Sequence, residues 1–294
     1  MTTMKNNIKI LCLLSVVLLG LSCSKTDNVT DKNTMRFSAL YPNKSKATSS
    51  GFEQKDTIGV YVTQYDGAAA VPLQLSGNYA NNIAVVYDGS VWKSLIPIYW
   101  ATGKFDVYAY YPYIKPTSVD SCPFAISQDQ STVKSGGVLG GYEASDFLWA
   151  QKTGVEQMAS VPLTFKHIMS KLIINLIKGP EYTGELPSDA VVYIHNTVPY
   201  ALIDLTNGSA TKNSNESVKS ITAMKISDSQ YTAIIVPQRI DRSTPLIEIN
   251  SKDVSYLIET SFVFRAGYQY TINITLNQNP DQVDINIGGQ VDNW

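Results

Sequence analysis

The chain has 294 residues, 44% of them hydrophobic and 16% charged, and its formal net charge is -2. That length suffices for one large or two ordinary domains, each with its own core. The near-neutral charge argues against a nucleic-acid partner, whose phosphates demand clustered positive charge. The 18 tyrosines and the small charged share point to a polar, uncharged β surface rather than a charged helical one.

Met1 to Lys9 carries Lys5 and Lys9 and no acid, and Ile10 to Gly20 reads ILCLLSVVLLG. A helix needs roughly 20 apolar residues to span a bilayer, so this run is short for that task. It fits the basic and apolar regions of a secretory signal. Gly20-Leu21-Ser22-Cys23 then resembles the bacterial lipobox, with Gly20 where a leucine is usual and Leu19 and Leu21 on either side. That resemblance makes residues 1–22 a lipoprotein signal peptide and Cys23 the lipidation site. Its thiol would take the diacyl group and its new amine a further acyl chain such as palmitate. Several chains anchor firmly where one binds only marginally. Loss of residues 1–22 removes two lysines and no acid, leaving 21 basic against 25 acidic side chains, or -4. Residues 23–34 hold too little apolar surface to order themselves and read as a flexible tether. Asp27 and Asp31 near the anchor resemble the surface-export context of lipoproteins in Bacteroides-like bacteria, although Lys25 precedes both.

Strand-like runs follow at short intervals: Met35–Leu40, Thr57–Gln64, Asn82–Tyr87, Lys104–Tyr111, Val161–Phe165, Lys171–Ile177 and Ala190–Ile194. Ser220–Ile226, Gln230–Val236, Leu246–Ile249, Val254–Phe264, Gln269–Leu276 and Val283–Ile287 continue the series. Turn formers such as Asp66-Gly67, Asp88-Gly89, Asn207-Gly208 and Asn279-Pro280 separate many of them, the signature of β-sandwiches or barrels. In Tyr270–Leu276, Tyr270, Ile272, Ile274 and Leu276 share one face, as in a half-buried antiparallel strand. Phe105, Val107 and Ala109 share one face of their run, and Asp106, Tyr108 and Tyr110 the other. Phe165 to Ile177 has a helical reading too, but KLIINLI favours a strand. Residues Thr117 to Ala159 are the least regular. A boundary near 155–165 divides the mature chain into an N-terminal domain, 35–160, and a C-terminal domain, 161–294. The tail run VDINIGG alternates as a half-buried strand, either completing its own sheet or donated to a neighbour.

The body offers no catalytic constellation and no cofactor motif. His167 and His195 lack metal-ligand spacing; His167 reads as a strand-end histidine with a local hydrogen bond, His195 beside Asn196 as a turn residue. No G-x-S-x-G elbow occurs, and Ser135–Gly141 lacks the ending of a phosphate loop. Glu143 and Asp146 are close in sequence without establishing an acid/base pair. Asp281, Asp284 and Asp292 read as a solvated tail surface rather than a calcium site. Cys122 is left without a disulfide partner and reads as a buried small hydrophobe ahead of a reactive thiol. Trp92, Trp100 and Tyr113 form a candidate binding platform, weighed against the plainer reading of a core with a tyrosine-lined rim.

Several landmarks then coincide in order. They are Lys46-Ala47-Thr48, Asp56 to Tyr61 (DTIGVY), Trp92 with Trp100, Phe105 to Pro112 (FDVYAYYP), Asp146 to Ala150 (DFLWA) and Val161 to Leu172 (VPLTFKHIMSKL). Ile235 to Gln238, Phe264 to Tyr270 (FRAGYQY) and Trp294 complete the set. With the lipobox, this pattern resembles the Bacteroides-type fimbrillin family, the Mfa-like branch of cell-surface adhesion proteins, across about residues 35–294. The resemblance implies an all-β fold of two consecutive β-sandwich domains with transthyretin-like topology. It implies an outer membrane lipoprotein at the cell surface or in the fimbrium, whose partners are other fimbrial subunits and a host or bacterial surface ligand. In polymerising members a trypsin-like protease removes the lipidated N-terminus and first strand, and a neighbour's strand fills the groove by β-augmentation. Carried to this chain, the candidate processing residues are Arg36, Lys44 and Lys46. The alternative function is a surface glycan-binding lipoprotein using Trp92, Trp100 or Tyr113.

Overall fold

Each strand expected from the sequence has a counterpart in the computed structural model, which describes residues 33–42, 51–135, 138–241, 244–252, 254–277, 283–286 and 291–294. The predicted signal peptide, Cys23, most of the tether, Lys44 and Lys46 lie outside the described residues. Among those described, the chain is all-β apart from one short helix, Gly141–Ser145.

The N-terminal half builds one antiparallel sheet in the order Trp92–Ser94, Ala80–Tyr87, Thr57–Gln64, Phe105–Tyr111, Leu148–Val155 and Lys166–His167. Alternation sorts its side chains between two cores. Ile58, Val60, Val62, Phe105, Val107, Ala109 and Leu148 enter one core. Tyr61, Tyr108, Tyr110, Phe147 and Trp149 enter the other. Every residue of Phe105–Tyr111 is therefore buried, although the run alternates polar and apolar positions. Gly59 is required beneath Tyr110, because a Cβ there would lie 2.4 Å from the ring. The Tyr110 hydroxyl, carried across that gap, donates to Asn82 Oδ1 at 2.5 Å or the Ile114 carbonyl at 2.9 Å.

The second core continues through the C-terminal half. Ser170–Lys178 is the centre of a sheet, pairing antiparallel with Gln230–Ile235 and parallel with Tyr268–Leu276. Phe165 to Ile177 is thus not a helix but holds the strands Lys166–His167 and Ser170–Lys178, broken at Ile168 and Met169, and Tyr270, Ile272, Ile274 and Leu276 all point into the core. The tail completes this sheet: Val283–Asn286 and Val291–Asn293 both pair with Tyr268–Leu276. A four-stranded sheet of Lys219–Thr222, Val191–Thr197, Pro245–Ser251 and Val254–Glu259 packs on the same core. Cys122–Ala125 crosses to pair with Tyr200–Asp204, which also pairs with Ser209–Lys212.

Three expectations change in detail. Ser220–Ile226 is two strands, Lys219–Thr222 and Met224–Ser227, which join different sheets through the buried Ala223. Val254–Phe264 likewise breaks into Val254–Glu259 and Phe262–Phe264. His195 lies within Val191–Thr197 rather than in a turn. The turn signal of Asn196 is realised as a positive φ of 56° and a register shift between Ile194 and Thr197. His195 is held between the Ser220 hydroxyl and Glu248, each at 2.7 Å. Cys122 is buried, and that burial pushes its thiol pKa up.

Candidate first-strand site

The first strand forms where the chain alternates small or apolar with polar residues. Met35 and Phe37 are buried in the N-terminal core, whereas Arg36, Ser38 and Leu40 face outward. Upstream, Met35 N donates to the Ile98 carbonyl and Trp100 N to that of Asn33, both at 2.7 Å. From Phe37 to Leu40 the strand then runs parallel to Val161–Thr164, with Phe37 opposite Val161 and Leu40 opposite Thr164. Val161 N donates to the Arg36 carbonyl at 2.8 Å, and Phe165 N to that of Leu40 at 3.0 Å. These two strands form a sheet of their own, so among the described residues each is paired along one edge only.

A cleft of about 530 Å³ runs along Arg36 to Tyr41 and is closed opposite by Phe52, Tyr87, Val91, Trp92 and Ser160. Its wall is an aromatic chain. Phe52 meets Tyr41, Trp92, Tyr111 and Phe165 edge-on, with centroids 4.9–5.6 Å apart. Such T-shaped contacts match ring edge to ring face and add to simple burial.

At the end of the strand lies a buried polar pair. Asp146 Oδ1 accepts from His167 Nδ1 at 2.8 Å, and Asp146 Oδ2 accepts from the Tyr41 hydroxyl at 3.2 Å. Burial first, then Asp146, raises the pKa of the Tyr41 phenol, so it stays a donor. His167 is indeed at a strand end, but its partner comes from a different segment instead of a local one. Lys171 is also buried, and burial lowers its pKa to about 8 while Asp146 opposes the shift.

Arg36 is exposed, between two buried neighbours. The structure does not gather the three aromatic candidates into one surface. Trp92 is partly buried and borders the cleft. Trp100 is 5% exposed and packs inside the N-terminal core against Phe105. Tyr113, partly buried, donates its backbone N–H to Thr57 and neighbours Tyr61 and Tyr110 on the opposite face of the sheet. Tyr41 was not singled out in the sequence, because one tyrosine after a strand carries no signal of a distant carboxylate. Among the described residues no group of three or more His, Cys, Asp or Glu side chains could hold a metal ion, and no helix is long and apolar enough to cross a membrane.

Comparison with known proteins gives a consistent result. A family described as fimbrillin-like matches residues 45–294. A crystal structure from Bacteroides uniformis, assigned to cell adhesion, superposes with a TM-score of 0.65 at 18% identity over 90% of this chain and 99% of its own. One from Bacteroides ovatus, similarly assigned, gives 0.65 at 20% identity over 89% and 96%. The tip fimbrial protein Mfa3 from Porphyromonas gingivalis gives 0.50 at 8% identity over 82% and 95%. No curated protein matches the chain.

Proposed function

The chain belongs to the fimbrillin-like family, and from that premise we propose that it is a non-enzymatic fimbrial subunit or fimbria-associated adhesin of the bacterial surface, assembling by strand donation after its lipidated N-terminus is removed. In this reading residues 1–22 direct export and Cys23 carries the lipid that delivers the protein to the outer membrane. Residues 23–34 tether it there. The body consists of two β-sandwich domains of transthyretin-like topology, 35–160 and 161–294, which contact neighbouring subunits and a host or bacterial surface ligand.

The observation that carries the proposal is the state of the first strand. It is bonded along one edge, to Val161–Thr164, yet it buries Met35 and Phe37. Removing it would leave the edge of Val161–Thr164 without its ladder and open two apolar sockets. An incoming strand with the same alternation restores both, through main-chain bonds for affinity and side chains for selectivity. The candidate cleavage points are not equivalent. A cut after Arg36 leaves Phe37–Leu40 in place; a cut after Lys44 or Lys46 frees the whole strand.

Incubating the exported protein with a trypsin-like protease should release an N-terminal fragment, whose mass identifies the cut among Arg36, Lys44 and Lys46, and should yield SDS-resistant oligomers. A chain that is trimmed yet stays monomeric at high concentration would rule out self-polymerisation as a stalk subunit, though not a tip or anchor role. Replacing Cys23 by alanine should abolish labelling with a fatty-acid probe, and undiminished labelling would rule out the anchor.

A further inference from the structure

The residue after the first strand and the residue after the tail strand meet on one buried pair. Tyr41 reaches Asp146 with its hydroxyl and lies edge-on to the His167 ring, centroids 5.8 Å apart. On its face, the same imidazole is covered by the Trp294 indole, centroids 3.7 Å apart and planes 8° from parallel. Lys171 Nζ lies 5.6 Å from the indole centroid. The Trp294 backbone is tied to this corner as well. Its N–H donates to the Gly267 carbonyl, and Gly267 N–H donates to the Met169 carbonyl, both at 2.8 Å. Gly267 adopts φ +73°, and a Cβ there would lie 3.1 Å from the His167 carbonyl oxygen.

From this geometry we propose that the Asp146–His167 pair is a clasp coupling the first strand to the tail strand, so that loss of Tyr41 loosens Val291–Asn293 from Tyr268–Leu276. The tail is an edge element of three residues, pairing Val291 with Tyr270 and Asn293 with Tyr268. Short edge strands fray at low cost, so one anchoring side chain decides how often they open. Trp294 is that anchor, and its stack needs the imidazole fixed in one plane. Asp146 fixes the ring through Nδ1, and Tyr41 fixes Asp146 and fills the space at the ring edge. Without Tyr41, water reaches the pair, the carboxylate loses a partner, and the imidazole can turn away from the indole. Departure of the first segment is thereby transmitted to the opposite end of the chain through three side chains. The coupling belongs to the unprocessed protein and holds whether or not subunits exchange strands.

Hydrogen exchange on the intact, unprocessed chain tests it. In Tyr41→Ala the amides of residues 291–294 should exchange about fivefold faster than in the wild type, the factor an aromatic stack of ordinary strength supplies. Amides of Ser170–Lys178 should keep their rates. Tyr41→Phe, which keeps the ring and loses only the hydroxyl, should give a smaller acceleration. Coupling between two sites is reciprocal, so Trp294→Ala should speed exchange in Phe37–Leu40 by a similar factor. Wild-type exchange in the tail of Tyr41→Ala would overturn the proposal. So would equal acceleration in Ser170–Lys178, which would mark general destabilisation instead.

Discussion

Lys171 shows how a single residue sets a pH dependence. It lies on the central strand Ser170–Lys178 and is 1% exposed, with burial lowering its pKa from the ordinary 10.5 to about 8. Below pH 8 the amine is protonated in both folded and unfolded chains, and the folded state carries the cost of burying its charge, which Asp146 and the Trp294 indole offset only in part. From about pH 8 to 10.5 the unfolded chain binds more protons than the folded one, so stability rises with pH across that window. Tyr41, Tyr110 and Tyr111, whose pKa values burial raises, act in the opposite direction once an unfolded phenol ionises near pH 10. Lys171→Met, similar in length and without charge, should therefore be more stable than wild type at pH 7. The advantage should shrink as pH approaches 10, as urea melts at several pH values would show. A constant difference between the two proteins would mean that Lys171 does not titrate in this range. The residues KLIINLI announced a strand, but nothing local showed that its lysine would be covered, because the cover is Trp294, far along the chain.

The first strand was legible as an alternating run, with Met35 and Phe37 on one face and Arg36 and Ser38 on the other. Its partner was not. Parallel pairing with Val161–Thr164 joins segments that no turn connects, and parallel strands leave no local signature. Distance in sequence also hid Cys122–Ala125, whose CPFA is too short to stand out and pairs antiparallel with the remote Tyr200–Asp204. Strand Leu148–Val155 was missed because its second half is polar, with Lys152 to Gly154 exposed. Within the first strand the energetic weight is uneven. Phe37 is 5% exposed and Leu40 is 56% exposed. Phe37→Ala should cost about 3–5 kcal/mol, as for other buried phenylalanines, and Leu40→Ala about 0.5 kcal/mol or less. Equal losses in denaturant melts would show that the strand is not seated by its alternate side chains. If the groove later accepts a neighbour's strand, the Phe37 socket is the position at which the incoming residue matters most.

At the scale of the molecule, the two cores meet through one sheet. Phe105, Val107, Ala109 and Tyr111 belong to the N-terminal core, while Tyr108 and Tyr110 on the same strand belong to the core that continues to Leu276. Trp149 enforces the join. Its indole N–H donates to the Leu205 carbonyl at 2.8 Å, and a Cβ on Gly208 would lie 2.2 Å from its ring. Sequence periodicity could show that Phe105–Tyr111 has two faces; it could not show that each face serves a different core, since an acid among tyrosines carries no sign of the distant segments that cover it. A sheet shared in this way cannot lose one core without exposing the back of the other. Heating should therefore give one cooperative transition, with calorimetric and van't Hoff enthalpies in agreement. Val107→Ala in one core and Ile174→Ala in the other, both fully buried, should each lower that same transition temperature. Two resolved transitions, each shifted by only one of the substitutions, would show instead that the halves fold as independent bodies joined by a passive contact.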